Sequence, residues 1–193
     1  MLARYYGLIE GRPSDRWALG KLLRCMSVKQ LARRYEKRVK ARPKSYNFRV
    51  ILGNLYMRQK AHAKAATEFR AAATIDPKRY LSHYRLAAAL RKLKEPEKAR
   101  KAYDKALART RVKRLKKKIL RSLIDLTMTT RGGMANARRY FKQLVALEPA
   151  NRLLRMEFAQ MLTRNLKFSE ALTEYQTLLK RYRGNSRYTA DLY

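Results

Sequence analysis

Any chemistry in this chain would have to come from very few side chains. It has two histidines, one cysteine and fourteen carboxylates among 193 residues. His62 and His83 stand far apart, one near the bend between two helices and one on a helix, and neither has the cysteine or carboxylate spacing of a zinc site. Cys25 has no second thiol for a disulfide or metal cluster, and its neighbours Leu22, Leu23 and Met26 mark it as a packing residue. The adjacent Gly132 and Gly133 follow no strand and precede no Lys-Ser or Lys-Thr, so they read as a turn rather than a phosphate loop. Asp125 lies among Leu123, Ile124 and Leu126, where a carboxylate needs a basic or amide partner from a neighbouring helix. No nucleophile, base and orienting group form a set. The sequence reads as that of a protein that is not an enzyme and uses no metal and no cofactor.

Charge is the second signal. Lysine and arginine number 48 against 14 acidic residues, a formal net charge of +34, yet the hydrophobic share of 46% is that of a globular chain. Opposite charges three or four apart on a helix contribute only a few tenths of a kcal/mol, and here the cations outnumber their possible partners severalfold. The densest runs supply the candidate polyanion-binding residues: Arg33, Arg34, Lys37 and Arg38, then Arg111, Lys113, Arg114, Lys116, Lys117 and Lys118. Like charges on adjacent turns repel and destabilise a compact state unless anions gather on them. Sequence-independent nucleic-acid binding needs little more than such a surface. Nucleic acid, an acidic protein or another polyanion is therefore the expected partner. The same composition also fits a solubility device, or an engineered repeat array without natural ligand.

The elements that must carry these residues are helices. Phe48, Ile51, Leu52, Leu55 and Tyr56 recur at three- and four-residue intervals, and Ala65, Ala66, Phe69, Ala72 and Ala73 follow with the same period before Asp76-Pro77 stops the helix. The phrase then repeats. Ala87, Leu90, Ala99, Tyr103 and Ala106 echo it, then Ala137, Phe141, Leu144 and Pro149, then Ala159, Leu162, Ala171, Tyr175 and Leu178. The division expected is an incomplete, degenerate repeat or cap over 1–45, four helix pairs over 46–185 (46–79, 80–113, 118–151 and 152–185), and the start of a further helix or C-terminal cap over 186–193. The basic run from Arg109 to Lys118 exceeds the repeat length, as a lengthened solvated helix end or a dedicated polyanion contact. Trp17, Leu19, Leu22 and Leu23 form one face of the degenerate pair, and Leu31, Ala32, Tyr35 and Val39 the other.

Leu52-Gly53, Tyr56, Ala65, Phe69, Ala72 and Pro77 resemble the tetratricopeptide repeat, a 34-residue helix-turn-helix unit. The other copies depart from it: Arg111 stands for the closing proline in the second, Asp125 for the small residue in the third and Arg183 for the proline in the fourth. The resemblance implies an all-α, right-handed α-solenoid of stacked helix-turn-helix repeats that acts as a non-enzymatic scaffold. It also implies a concave groove, lined by the first helices, that holds an extended peptide. The groove positions would include Asn47, Asn54, Arg58, Tyr84, Arg91, Lys92, Ser122, Gln160 and Arg164. A subclass clamps a carboxylate in that groove. Asn54 matches its first asparagine, but Val50 stands in place of its first lysine and Arg85 in place of its second asparagine, so the full clamp is not expected.

No signal-peptide core opens the chain, and no stretch reaches the roughly 18 apolar residues of a membrane span. The location expected is therefore cytoplasmic or another intracellular compartment, with a protein or peptide in the groove and a polyanion on the basic faces.

Overall fold

The computed structural model describes residues 2–149, 151 and 153–182. The expected further helix or cap at 186–193 lies outside them, as does the end of the fourth expected pair. Every regular element among the described residues is an α-helix. The chain forms two compact units, 1–111 and 112–193.

The first unit contains α1 (Leu2–Gly11), α2 (Arg16–Cys25), α3 (Val28–Ala41), α4 (Tyr46–Arg58), α5 (His62–Ile75), α6 (Tyr80–Lys92) and α7 (Pro96–Arg109). Helices α3, α5 and α7 begin 34 residues apart, as the repeat demands. Helix α4 pairs with α5 and α6 with α7, while α3 lies beside α4 and α5 beside α6. Local chemistry sets the ends. Ser27 and Gln30 form a reciprocal capping box at the start of α3, and the Asp15 carboxylate accepts the Ala18 amide at 2.9 Å to open α2.

Small residues let the helices come close. Ala65, Ala72, Ala99 and Ala106 are fully buried, and Phe69 is wedged between α5 and α4. A methyl group on Gly53 would lie 2.5 Å from the Phe69 ring, so the glycine of α4 is there for space rather than for backbone freedom. Phe69, Tyr103 and Phe141 are buried at their expected places, and Tyr35 likewise. Tyr175 differs: it is half-buried, while its neighbour Glu174 is buried. It stands on the last described helix, so no further described helix packs over it. Trp17 also departs from the expected apolar face. It is 57% exposed, packed edge-on against Tyr5, while Ala18, Leu19 and Leu22 carry the burial.

The turns inside the pairs share one device. Lys60, Lys94 and Leu166 adopt positive φ (59°, 59° and 57°), and the next amide reaches back to the sixth residue, Ala61 to Tyr56 O, Glu95 to Leu90 O and Lys167 to Leu162 O. The third pair uses glycine: Gly132 has φ 69°, and a side chain on Gly133 would run into the Thr127 carbonyl.

The second unit contains α8 (Lys113–Met128), α9 (Met134–Leu147), α10 (Leu154–Arg164) and α11 (Phe168–Tyr182), with α8 paired to α9 and α10 to α11. Phe141 of α9 stacks on Phe158 of α10, ring centroids 4.1 Å apart. The basic run is placed differently from the lengthened helix end expected. Helix α7 stops at Arg109, and Thr110 and Val112 take the extended conformation their β-branches favour. Helix α8 then starts at Lys113 and is 16 residues long. The extra residues therefore open a helix and do not extend one.

Two stability changes follow. Lys60→Gly relieves a left-handed lysine and is expected to raise stability by about 1 kcal/mol in chemical denaturation. Gly53→Ala gains helix propensity but overpacks against Phe69, and a net loss of about 1–2 kcal/mol is expected. A stabilised Gly53→Ala protein would contradict the close approach.

Candidate functional site

The two expected groove asparagines on α4 do not face an open groove. The Asn47 side-chain amide donates to the Glu10 main-chain carbonyl at 2.6 Å, and that of Asn54 to the Pro13 carbonyl at 3.1 Å. Helix α1 packs on α4, so the chain's own first segment lies across the α4 face. It is held from the other side as well. The Glu10 carboxylate accepts from the Tyr35 hydroxyl at 3.0 Å and pairs with Arg38, and Tyr6 is buried under Arg34 with its hydroxyl 3.3 Å from the Met26 sulfur. Burial pushes the Tyr35 phenol well above its ordinary range, so it stays a donor. The sequence carries Leu2, Tyr5, Tyr6 and Ile9 at helical spacing, but nothing in it says which surface that helix covers.

Further along the first unit stand the expected groove residues of α6. Tyr84 is half-buried, its ring 5.7 Å from that of Tyr103, while Arg91 and Lys92 are exposed at the end of α6 and Arg58 at the end of α4. Arg85 is the residue whose importance the sequence did not reveal. It is mostly buried, its Nε has no hydrogen-bond partner, and desolvation lowers its pKa, with Tyr84 and Tyr80 opposing and Arg16 of α2 adding to the effect. A desolvated guanidinium without an anion is an unfavourable state.

The expected polyanion residues divide into two places. In the first unit Arg33, Arg34 and Lys37 line a cleft of about 450 Å³ together with Gln30, Tyr6 and Cys25. Arg38, expected with them, is instead committed to Glu10. In the second set, Arg111 is exposed before α8, and Lys113, Arg114, Lys116, Lys117 and Lys118 occupy the first two turns of α8. That end of a helix carries the positive pole of its dipole, and no acidic residue stands in the first turn. Lys117 is tied to Glu148 at 2.5 Å, and with Asn151 it holds that carboxyl below the usual carboxylate range.

In the second unit the expected groove residues stand on α8 and α10. Ser122 is half-buried and bonds back to the Lys118 carbonyl at 3.1 Å, while Gln160 and Arg164 are exposed. Arg121 grips Glu157 through two nitrogens at 2.5 and 2.7 Å, which ties α8 to α10. Buried Glu174 accepts from Arg138 at 3.3 Å and from Arg155 at 3.1 Å. Asp125 is half-buried in α8. Among the described residues, no cluster of histidine, cysteine and carboxylates has the arrangement to hold a metal, and no helix is long and apolar enough to cross a membrane.

Tetratricopeptide repeat models match residues 30–80 and 80–111, the stretch of α3 to α7 where the alanine seams and positive-φ turns recur. Residues 30–111 are repeats of the tetratricopeptide type. Solved structures agree in fold. A MamA protein superposes with a TM-score of 0.66 at 16% identity, covering 97% of this chain and 94% of its own. YrrB, a TPR protein with an unusual peptide-binding site, does so with 0.62 at 14% identity, covering 97% and 96%. A tetratricopeptide repeat protein from Parabacteroides merdae gives 0.60 at 15% identity, covering 93% and 71%. At these identities the likeness is one of fold alone. No curated protein matches the sequence. Tetratricopeptide repeats are characteristically non-catalytic scaffolds.

One buried group of the repeats links stability to pH. His83 of α6 is buried with its Nε2 3.0 Å from the Pro77 carbonyl, and burial lowers its pKa, assisted by the charges of Arg109 and Lys105. The unfolded chain therefore binds a proton first. Stability is complete above the ordinary histidine pKa of 6.5 and falls as the pH drops through the lower folded-state value. His83→Gln is expected to flatten that slope in denaturation midpoints measured between pH 7 and pH 5.

Proposed function

We propose that the chain is a non-enzymatic interaction scaffold whose first-helix faces hold a polypeptide segment, and that this segment is acidic. The observation that carries the reading is the pair of asparagine contacts on α4. Asn47 and Asn54 donate to main-chain carbonyls, so this face recognises polypeptide backbone irrespective of side chain. Arg85 sets the sign of the ligand. Its desolvated guanidinium, with Arg16 beside it and Arg91 and Lys92 farther along α6, suits a carboxylate-bearing segment. Tyr84 supplies a ring on the same helix and Arg58 a charge at the end of α4, while Ser122, Gln160 and Arg164 belong to the first helices of the second unit. YrrB, of similar fold, is a protein with a peptide-binding site, which agrees with this reading.

A second reading concerns the rest of the surface: its cations take an anion-rich partner such as nucleic acid or an acidic protein. The start of α8 supports it, because several basic side chains there face the unfavourable end of the dipole with no acidic residue in the first turn.

Arg85→Met separates the first reading from a structural role. Removing a desolvated charge is expected to stabilise the free protein by about 1 kcal/mol or more. The same change is expected to weaken binding of a fluorescein-labelled glutamate-rich peptide at least tenfold in anisotropy titrations, the loss of a charge-assisted contact worth about 1.5–3 kcal/mol. Undiminished binding by a stabilised Arg85→Met protein would refute it.

A further inference from the structure

The other side of the first unit carries a cleft that the sequence does not announce. It has a volume of about 430 Å³ and lies between α5 and α7, with α6 behind it. Five cations line it, Arg70, Lys98, Lys101, Lys105 and Arg109, and no carboxylate does. Leu86 and Leu90 of α6 lie at its base. Apart from Arg109, these cations stand outside the dense basic runs of the sequence.

The cations are arranged rather than scattered. Lys98, Lys101, Lys105 and Arg109 recur at three- and four-residue intervals along one face of α7, a stripe about 16 Å long at 1.5 Å per residue. Arg70 faces it from α5. The Arg109 guanidinium donates to the carbonyls of Pro77 and Lys105, which fixes its position without cancelling its charge. Lys98 shares an exposed bridge with Glu95 at 2.7 Å, but no described carboxylate is in ion-pair range of Arg70, Lys101 or Lys105. Buried His83 stays unprotonated beside these charges.

The donor set distinguishes one anion from another. Three of the five cations are lysines, which act as point charges toward phosphate, and the Arg109 fork is already committed to carbonyls. No asparagine or glutamine lines the cleft, so it lacks the backbone-reading groups found on α4. No phenylalanine, tyrosine or tryptophan lines it either, which leaves no broad ring for bases to stack on. The cations of α7 stand about 4.5–6 Å apart along the stripe, which is long enough to follow successive phosphates of one strand.

We propose that the cleft formed by α5, α6 and α7 docks the phosphate backbone of a nucleic acid without reading its sequence. This rests on the second reading above, that the basic surface takes an anion-rich partner, and is independent of peptide binding on the first-helix faces.

The test is a salt titration of the full chain with a fluorescein-labelled mixed-sequence DNA duplex, followed by anisotropy. Two triple variants remove equal charge: Arg70→Gln with Lys101→Gln and Lys105→Gln in the cleft, and Lys40→Gln with Arg42→Gln and Lys44→Gln on exposed residues at the end of α3 and just after it. Each lost phosphate contact lowers the slope of log K against log salt by about 0.9, so the cleft variant is expected to lose about 2.7 and the control less than about 1. Lys105→Gln alone is expected to lose about 0.9, and circular dichroism checks that each variant folds. Equal losses in the two triple variants would overturn the cleft assignment while leaving a diffuse basic surface. Absence of duplex binding at low salt would overturn both. Displacement of the duplex by polyglutamate at equal charge, with the same dependence on the cleft residues, would assign the cleft to an acidic polypeptide and overturn the proposal.

Discussion

Everything in the first unit depends on how closely α4 and α5 approach each other. With Gly53 facing the Phe69 ring and Ala65, Ala66, Ala72 and Ala73 buried on α5, the pair needs little room for side chains. That contact fixes the rotation of α4 about its axis. Once Gly53 points at α5, Asn47 and Asn54 must lie on another side of α4, and there they meet α1 and the turn after it. The packing of one seam thus decides which polar groups are available for recognition. Both amide nitrogens donate to carbonyls of their own chain, while the buried Asn47 Oδ1 has no partner.

Six of the acidic residues have a common use. Glu10 joins α1 to α3, Glu36 accepts from Tyr56, Glu68 pairs with Arg49, and Glu148, Glu157 and Glu174 tie the helices of the second unit. Partly buried pairs of this kind hold neighbouring helices in register, and removing one partner leaves a charge without compensation. Because these carboxylates are engaged between helices, they do not offset the cations on the outer faces. A positive cleft then arises on α7 without any unusual run of lysines in the sequence, only a regular spacing on one side of a helix.

Much of the fold was legible because its constraints are periodic. Ala65, Phe69 and Ala72, repeated as Ala99, Tyr103 and Ala106, can be read directly as buried faces, and they are buried. The Gly132-Gly133 turn was legible for the same reason. The site was less so. Asn54 could be recognised as a groove position, but its occupation by the Pro13 carbonyl depends on a contact across some forty residues that no local pattern encodes. Arg85 stood out only as a departure from the second asparagine of the carboxylate clamp, and its desolvation becomes visible only when Tyr80, Tyr84 and Arg16 are placed around it. The basic run after Arg109 misled in a different way. Charge patterning says nothing about helix boundaries, and the extended Thr110 and Val112 assign the run to α8.

The central claim is that the α4 face binds polypeptide main chain and is occupied by the chain's own first segment. Hydrogen exchange of the side-chain amides in protein labelled with ¹⁵N only at asparagine tests it directly. The account predicts that the Asn47 and Asn54 amide protons exchange far more slowly than those of asparagine in an unstructured reference peptide. Exchange of all of them at one solvent-limited rate would contradict it.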